Sequence, residues 1–368
     1  MNRKLVSVIV IILVIMVNQT SAQEQNKSHL KLGIAGLTHG HVGWILGAMK
    51  KGDVSVVGIA ESNKEVAERY AKQYGFPMSM VYPTLEEMVA KTKPDGVTAF
   101  GPIYDHLHVV EVCAPLHIDV MVEKPLAVNG EHAKKMACLA REIGIKLVTD
   151  YETTWYPTNH LAYQMALDEK KLGDIRKVIV CDGHQGPKEI NVQPEFLEWL
   201  TDPKLNGGGA VVDFGCYGAN LITWLMQNQK PLTVSATLQT MKPDVYPKVD
   251  DEATIILTYP GSQGIIQASW NWPFSRKDMQ IFGRTGELFA ANRHEIDYRL
   301  TGEDTEMKKE LPERPAPYND PFAWFEAVIR GDIIVKPTDL SSLENNLIVV
   351  EILDAARESA RTGKVIHL

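Results

Sequence analysis

The apolar positions of this chain fall into two regimes. From residue 30 to about 150, short apolar runs alternate with stretches of helical period: 30–35 then 42–49, 54–60 then 64–74, 96–100 then a helix through 114, 119–124 then 131–143, and finally 146–149. Short β-branched runs of this kind read as strands buried on both faces. Between them, Val66, Ala67, Tyr70 and Ala71 repeat at the spacing of a helix that Gly75 closes. The alternation predicts right-handed crossovers and a mostly parallel sheet. After Tyr151 the pattern changes. A helix ends near Leu172 and Gly173, a strand covers 177–181, a polar loop rich in Gly and Pro follows, and an apolar helix spans 219–226. Runs at 232–239, 253–259, 264–270, 278–282, 288–291 and 295–300 then predict antiparallel strands, closed by helices at 321–329 and 343–362. The expected fold is an α/β domain over 30–149 followed by an α+β domain over 150–368 with a large, mostly antiparallel open sheet.

Composition narrows the class of partner. The chain of 368 residues is too long for one ordinary core, which agrees with two domains. A net charge of −8 leaves no basic stripe to displace counterions from phosphate, so no nucleic-acid partner is expected. Residues 1–22 read as a signal peptide: Arg3 and Lys4 precede an apolar stretch at 5–17, and Thr20, Ser21 and Ala22 form a small-residue cleavage site. That stretch rises only about 20 Å as a helix against a bilayer core of roughly 30 Å, so no stable membrane insertion is expected after cleavage and the address is secreted, in the periplasm. Cys113, Cys138, Cys181 and Cys216 have no metal-type spacing and read as small buried hydrophobes; no metal site is expected.

Candidate chemistry gathers at strand ends. The run from Asp119 ends in Glu123, Lys124 and Pro125. Ligands of open α/β sheets collect beyond the carboxyl ends of the strands, so Lys124 would emerge where a cofactor and a substrate meet, held on a stiff corner by the proline. The turn Gly36-Leu37-Thr38-His39-Gly40-His41 has the strand-to-helix context of a dinucleotide fingerprint without its full pattern. Gly36 makes the tight turn, Thr38 stands where the second glycine is expected and His41 where the third is. Amides at the helix start can hold phosphate, and Thr38 adds a hydroxyl donor. Glu61 lies 25 positions after Gly36 at a strand end, which suits a ribose-binding acid whose charge repels a 2′-phosphate and favours NAD over NADP. In the second half Asp213 and Tyr217 stand four apart after a glycine run, on one face of a helix; the spacing alone favours a capping Asp and a core Tyr.

Gly33 to Gly36 behind a leader, the spacing from Pro102 to His106, and Glu123-Lys124-Pro125 resemble the Gfo/Idh/MocA family, named for glucose-fructose oxidoreductase, inositol dehydrogenase and a rhizopine catabolism protein. The resemblance spans nearly the whole mature chain. It implies a Rossmann dinucleotide-binding domain in which Gly36, Thr38, His39, Gly40, His41, Glu61, Pro102, His106, Glu123 and Lys124 hold NAD, and a catalytic set of Lys124, Asp213 and Tyr217. The glycine run, Asp213, Tyr217 and Asn220 are similar to the glucose-fructose oxidoreductase branch, where Tyr takes the position held by His in the inositol dehydrogenase branch. The implied activity is NAD(P)-dependent oxidoreduction of a carbohydrate or cyclitol hydroxyl by a homo-oligomer associated through the C-terminal sheet. Tyr151, Trp155 and His184 are expected to contact the sugar, with Asp150, Glu152 and Asn271 available to its hydroxyls. Lys124 is expected to favour a Tyr217 phenolate and share proton transfer with it, while Asp213 orients substrate or Lys124. Free NAD is not expected outside the cytoplasm, so a secreted member would retain its cofactor and recycle it in a redox-neutral cycle. A redox-neutral glycosidase using the same residues and a non-catalytic sugar-binding protein are the alternatives.

Overall fold

The computed structural model describes residues 29–368; the expected signal peptide lies outside them. Six strands, β1 (Lys31–Ala35), β2 (Ser55–Ala60), β3 (Val81–Tyr82), β4 (Gly96–Ala99), β5 (Asp119–Glu123) and β6 (Leu147–Asp150), form a sheet in the order β3-β2-β1-β4-β5-β6. Every pairing in it is parallel. Helices α1 (Val42–Lys51), α2 (Lys64–Tyr74), α3 (Leu85–Thr92), α4 (His106–Cys113) and α5 (Gly130–Ile143) make the crossovers. β3 and α3 were not foreseen from the periodicity: the strand is two residues long, and the helix starts on a Thr84 cap whose side chain accepts from Glu87 N. Strand order reverses between β1 and β4, so the crevice for a ligand lies above their carboxyl ends.

The chain then passes through α6 (Pro157–Tyr163), a following π-helical turn (Gln164–Asp168), and β7 (Ile175–Gly183), so the single helix expected before residue 173 is broken. The polar loop after β7 contains α7 (Pro194–Leu200). Next come α8 (Ala210–Asp213), α9 (Gly215–Leu225), β8 (Thr233–Gln239), β9 (Glu252–Thr258), β10 (Gln263–Ser269), β11 (Arg276–Gly283), β12 (Gly286–Ala290), β13 (Glu295–Leu300) and β14 (Met307–Glu310). With the terminal β15 (Ile366–His367) they form a nine-stranded sheet, β14-β13-β12-β11-β7-β10-β9-β8-β15. Only β7 with β10 is parallel, because β7 arrives from the first domain and inserts between β11 and β10.

Two features of the second half position the site. α9 is buried along its whole length between the sheet and α11 (Leu343–Thr362), and Asn220 on it donates to the Leu340 carbonyl at 2.8 Å, as does Asn346 of α11 at 2.9 Å. α10 (Pro321–Arg330) leaves the second domain: Phe322 and Phe325 join Leu32 and Ile34 in the core of the first sheet. A side chain at Gly96 of β4 would lie 2.9 Å from the Phe325 ring, so the close fit of that helix requires glycine there.

The glycine run before α8 is a second close approach. A Cβ at Gly209 would lie 1.7 Å from the Asp250 carbonyl oxygen. The Asp250 carboxylate accepts from Gly209 N at 2.8 Å and Val211 N at 2.7 Å, fixing the start of the short helix that ends at Asp213. Burial outweighs those bonds and pushes the Asp250 carboxyl up to about 6. Gly209→Ala should therefore destabilise the protein by at least about 1–3 kcal/mol, an overpacking cost. Gly261→Ala, at a position with open space around it, should stay within about 0.5 kcal/mol. Thermal or denaturant unfolding of the two variants checks the pair.

Candidate functional site

Two adjoining cavities open at the carboxyl edge of the first sheet. The first, of about 530 Å³, is lined by Gly36, Thr38, Glu61, Pro102 and His106, at the ends of β1, β2 and β4. The second, of about 600 Å³, lies between the domains and is lined by His39, His41, Lys124, Glu152, His184, Asp213, Tyr217 and Lys277. Both volumes suit small-molecule sites.

Lys124 follows β5 and is only 5% exposed. Its Nζ donates to Asp213 Oδ1 at 2.6 Å and to the Asp213 carbonyl at 3.0 Å. Trp270 Nε1 donates to Asp213 Oδ2 at 3.0 Å, so both carboxylate oxygens are engaged. Burial alone would lower the Lys124 pKa, but the adjacent Asp213 charge wins and raises it to about 12. Burial likewise works against ionised Asp213, and the Lys124 charge holds it below the ordinary carboxylate range. Of the two roles expected for Asp213, the geometry assigns it the orientation of Lys124.

Tyr217, in the first turn of α9, is 1% exposed. Two ammonium groups lie near its ring, with Lys124 Nζ 5.1 Å and Lys277 Nζ 4.5 Å from the ring centroid. Lys277 Nζ also lies 3.5 Å from the Tyr217 hydroxyl. The expectation of a phenolate is corrected here: burial first, then the Glu152 charge, push the Tyr217 hydroxyl well above its usual range, so it stays protonated. Lys277 is ion-paired to Glu152, which also accepts from the Tyr156 hydroxyl at 2.6 Å. Burial opposes ionisation of Glu152, yet Lys277 and Tyr156 bring its carboxyl down to about 2. Lys277 escaped the sequence reading because Arg276, Lys277 and Asp278 look like a solvated strand start. Its register opposite Asp182, known only from the fold, turns it inward.

The expected cofactor residues divide between the cavities. The Thr38 hydroxyl accepts from Trp199 Nε1 at 3.1 Å, which leaves its own proton free to donate into the first cavity. Glu61 accepts from Leu37 N at 3.0 Å and Asn63 N at 2.8 Å, and burial raises its pKa. His106 is buried, its Nδ1 bonded to the Leu126 carbonyl at 3.2 Å; burial lowers it to about 4, so it is neutral, and its Nε2 has no partner among the described residues. An unpaired buried acceptor, a free hydroxyl proton and a strand-end acid fit a dinucleotide in this cavity. The turn does not offer its amides as expected: those of Gly36, Thr38 and His39 bond to Ala60 and Phe100 carbonyls, and Leu37 N is spent on Glu61.

The side chains of His39 and His41 face the second cavity rather than the cofactor cavity, around the buried Glu123. Glu123 lies 3.1 Å from His41 Nδ1 and 3.9 Å from His39 Nε2, and ligand atoms of the three fall within 4.8 Å of one another. His39 Nδ1 accepts from His41 N at 3.1 Å, while burial, His41 and Lys124 keep the ring neutral. Its one proton therefore sits on Nε2, which removes the lone pair a metal would need there. Gly40 lies beside Phe196 of α7, which packs on His39 at 4.8 Å.

Two of the expected sugar contacts are also corrected. Tyr151 is fully buried behind the site with its ring edge against Tyr217, 5.4 Å between centroids. Trp155 is buried, donates to Asp150 at 2.8 Å and packs on Trp324, away from the catalytic cavity. Asn271 is spent on the Asp251 loop. His184 does line the cavity, edge-on to Phe214, and burial lowers its pKa.

Comparison with known proteins agrees with this geometry. The family model for the oxidoreductase family with an NAD-binding Rossmann fold matches residues 30–151, and that for the GFO/IDH/MocA C-terminal domain matches 160–289. A trans-1,2-dihydrobenzene-1,2-diol dehydrogenase from Xenopus tropicalis is 24% identical over 311 residues, 83% of this chain and 89% of its own. The rabbit (Oryctolagus cuniculus) enzyme of that name is 29% identical over 229 residues, 62% of this chain and 64% of its own. Among solved structures, the aldose-aldose oxidoreductase of Caulobacter crescentus, complexed with glycerol, superposes with a TM-score of 0.77 at 20% identity, covering 93% of this chain and all of that one. A levoglucosan dehydrogenase in complex with NADH and levoglucosan superposes at 0.75 with 21% identity, covering 92% and 99%.

Removing one partner of the buried pair, as Lys124→Met or Asp213→Asn, should cost about 3–5 kcal/mol, with the double variant well short of the sum. Asp213 is depressed, so its contribution is present above the unfolded carboxylate pKa and lost as pH falls through the folded one. Lys124 is raised to about 12, so its contribution is present below the unfolded lysine pKa and lost as pH rises through about 12. Denaturant unfolding should thus return a coupling energy that is flat from about pH 5 to about pH 9.

Proposed function

The chain belongs to the Gfo/Idh/MocA oxidoreductase family, and from that premise we propose that it exchanges hydride between tightly held NAD and a hydroxyl-bearing carbon of a cyclic polyol, a carbohydrate or a cyclitol, in a redox-neutral cycle in the periplasm. The observation that carries the reading is the buried Tyr217 with two ammonium groups beside its ring, in a cavity next to another suited to a dinucleotide. The dihydrodiol and levoglucosan dehydrogenases, both named for hydroxylated rings, support the substrate class. Glu61 at the end of β2 supports NAD over its 2′-phosphate, through charge repulsion.

When bound, the nicotinamide supplies the hydride acceptor or donor; this chain handles the proton and the developing charge. Two of the three Lys124 donors are fixed on Asp213. The third, with the Tyr217 hydroxyl, donates to the substrate oxygen and stabilises negative charge as it develops there. In carbonyl reduction Tyr217 passes its proton to that oxygen, and Lys277 stabilises the phenolate left behind. Oxidation runs the same path backwards, with the phenolate taking the hydroxyl proton. Because Tyr217 rests protonated, the two directions should differ with pH: oxidation should climb as pH rises through the alkaline range, while reduction holds level until the phenol ionises. Tyr217→Phe should lower kcat about 100- to 10,000-fold in both directions with a smaller effect on KM. Full turnover by a folded Tyr217→Phe variant would remove Tyr217 from this role.

Retention of the cofactor through repeated cycles calls for affinity near the nanomolar range, about −12 kcal/mol. Mass spectrometry and absorbance of the nucleotide released on denaturing the purified mature protein should therefore find about one NAD per chain. A protein that emerged empty and also failed to bind added NAD or NADP would overturn the enzymatic reading.

A further inference from the structure

The short segment from Glu152 to Tyr156 turns Glu152 and Tyr156 to the catalytic cavity but Thr154 and Trp155 to another, of about 540 Å³. Its wall is aromatic: Trp155, Trp224 and Trp324 line it with Tyr163, and Tyr163 stacks on Trp224 at 4.3 Å and 21°. Arg314 enters the same cavity without a carboxylate partner among the described residues. Its Nη1 lies 2.8 Å from His160 Nε2 and 3.2 Å from the Tyr318 carbonyl. His160 Nε2 also lies 2.8 Å from the Thr154 carbonyl. A neutral imidazole nitrogen carries either a proton or a lone pair, so Nε2 serves Thr154 or Arg314 and never both. The guanidinium, mostly buried and lowered in pKa by that burial, is left with one sound acceptor. Asp339 lines the cavity too, its carboxylate accepting from Lys336 N at 2.7 Å without reaching Arg314.

A guanidinium that stacks over the Tyr318 ring but has no carboxylate partner among the described residues calls, in an aromatic cavity, for a monoanion carried on a body with apolar faces. A planar carboxylate matches the fork of arginine, and the C–H faces of a sugar ring match indole. Asp339 disfavours a doubly charged phosphate and accepts from a sugar hydroxyl. We propose that this cavity is a second saccharide subsite that binds a carboxylate-bearing sugar, a uronate unit, with its ring on the Trp224–Trp324 wall and its carboxylate on Arg314. The subsite does not depend on the redox reading of the catalytic cavity.

The test is calorimetric titration of the full mature protein with D-glucuronate, and with D-glucose as the neutral counterpart, in the wild type, Arg314→Met, Arg314→Lys and Lys124→Met. Glucuronate should bind the wild type and Lys124→Met alike, and at least ten-fold more weakly to Arg314→Met. Arg314→Lys, which keeps the charge without the fork, should fall between them, and glucose should bind the wild type at least ten-fold more weakly than glucuronate. If Arg314→Met or Lys124→Met lowers the melting temperature, Arg314→Lys and the glucose comparison carry the test. Binding equal for the two sugars, unchanged in both Arg314 variants, lost only in Lys124→Met, or absent altogether would overturn the subsite.

Discussion

The cavity between the two domains depends on one buried ion pair. Taking an ammonium and a carboxylate out of water costs several kcal/mol per ion unless their remaining hydrogen-bonding capacity is met. Here Asp213 has both oxygens engaged, by Lys124 and by the Trp270 indole, while Lys124 uses two donors on Asp213 and keeps one for the cavity. The same contact joins the end of β5 in the first domain to the end of α8 in the second. Alignment of the two halves and orientation of the reactive ammonium are therefore one constraint. The close approach of Gly209 to Asp250 matters because it sets where α8 ends.

A second pair, Lys277 with Glu152, lies beside the Tyr217 ring in the same cavity. Each ammonium has its own carboxylate, so these two pairs add no net charge although they make the site densely ionic. A neutral polyol can enter without a large charge mismatch, and the fixed dipoles become most favourable when an oxygen of the substrate turns negative, which is where preorganised electrostatics contribute most. The Tyr217 phenol, pushed well above its usual range by burial, adds no charge at rest.

Much of this was legible in the sequence, and what was not has identifiable causes. The βαβ alternation gave the parallel sheet because its strands are buried on both faces, and Lys124, Asp213 and Tyr217, named from the strand-end motif and the family resemblance, meet in one cavity. His39 and His41 were placed with the first cavity, whereas their side chains line the second, because a backbone turn can present its main chain to one cavity and its side chains to the next. Tyr151 was misread because an aromatic residue of the core and one of a binding wall look alike in one dimension, and Trp155 because it lines a different cavity from the one expected. Lys277 lies 60 positions beyond Tyr217 and reaches it only through sheet register, which no local pattern encodes. The phenolate was misjudged for another reason: a neighbouring ammonium favours it, but burial and the Glu152 charge outweigh that attraction.

The placement of α10 bears on how such a chain comes into being. Its two phenylalanines complete the core beneath β1 and β4, although nearly the whole second domain intervenes in sequence. A ribosome that has made only the first domain has therefore made a sheet with an open hydrophobic seam. That domain cannot finish packing until the penultimate helix has been synthesised and has folded back. Maturation of the nucleotide crevice is in this sense a late event of biosynthesis, even though its glycine turn is among the first residues of the fold to be made.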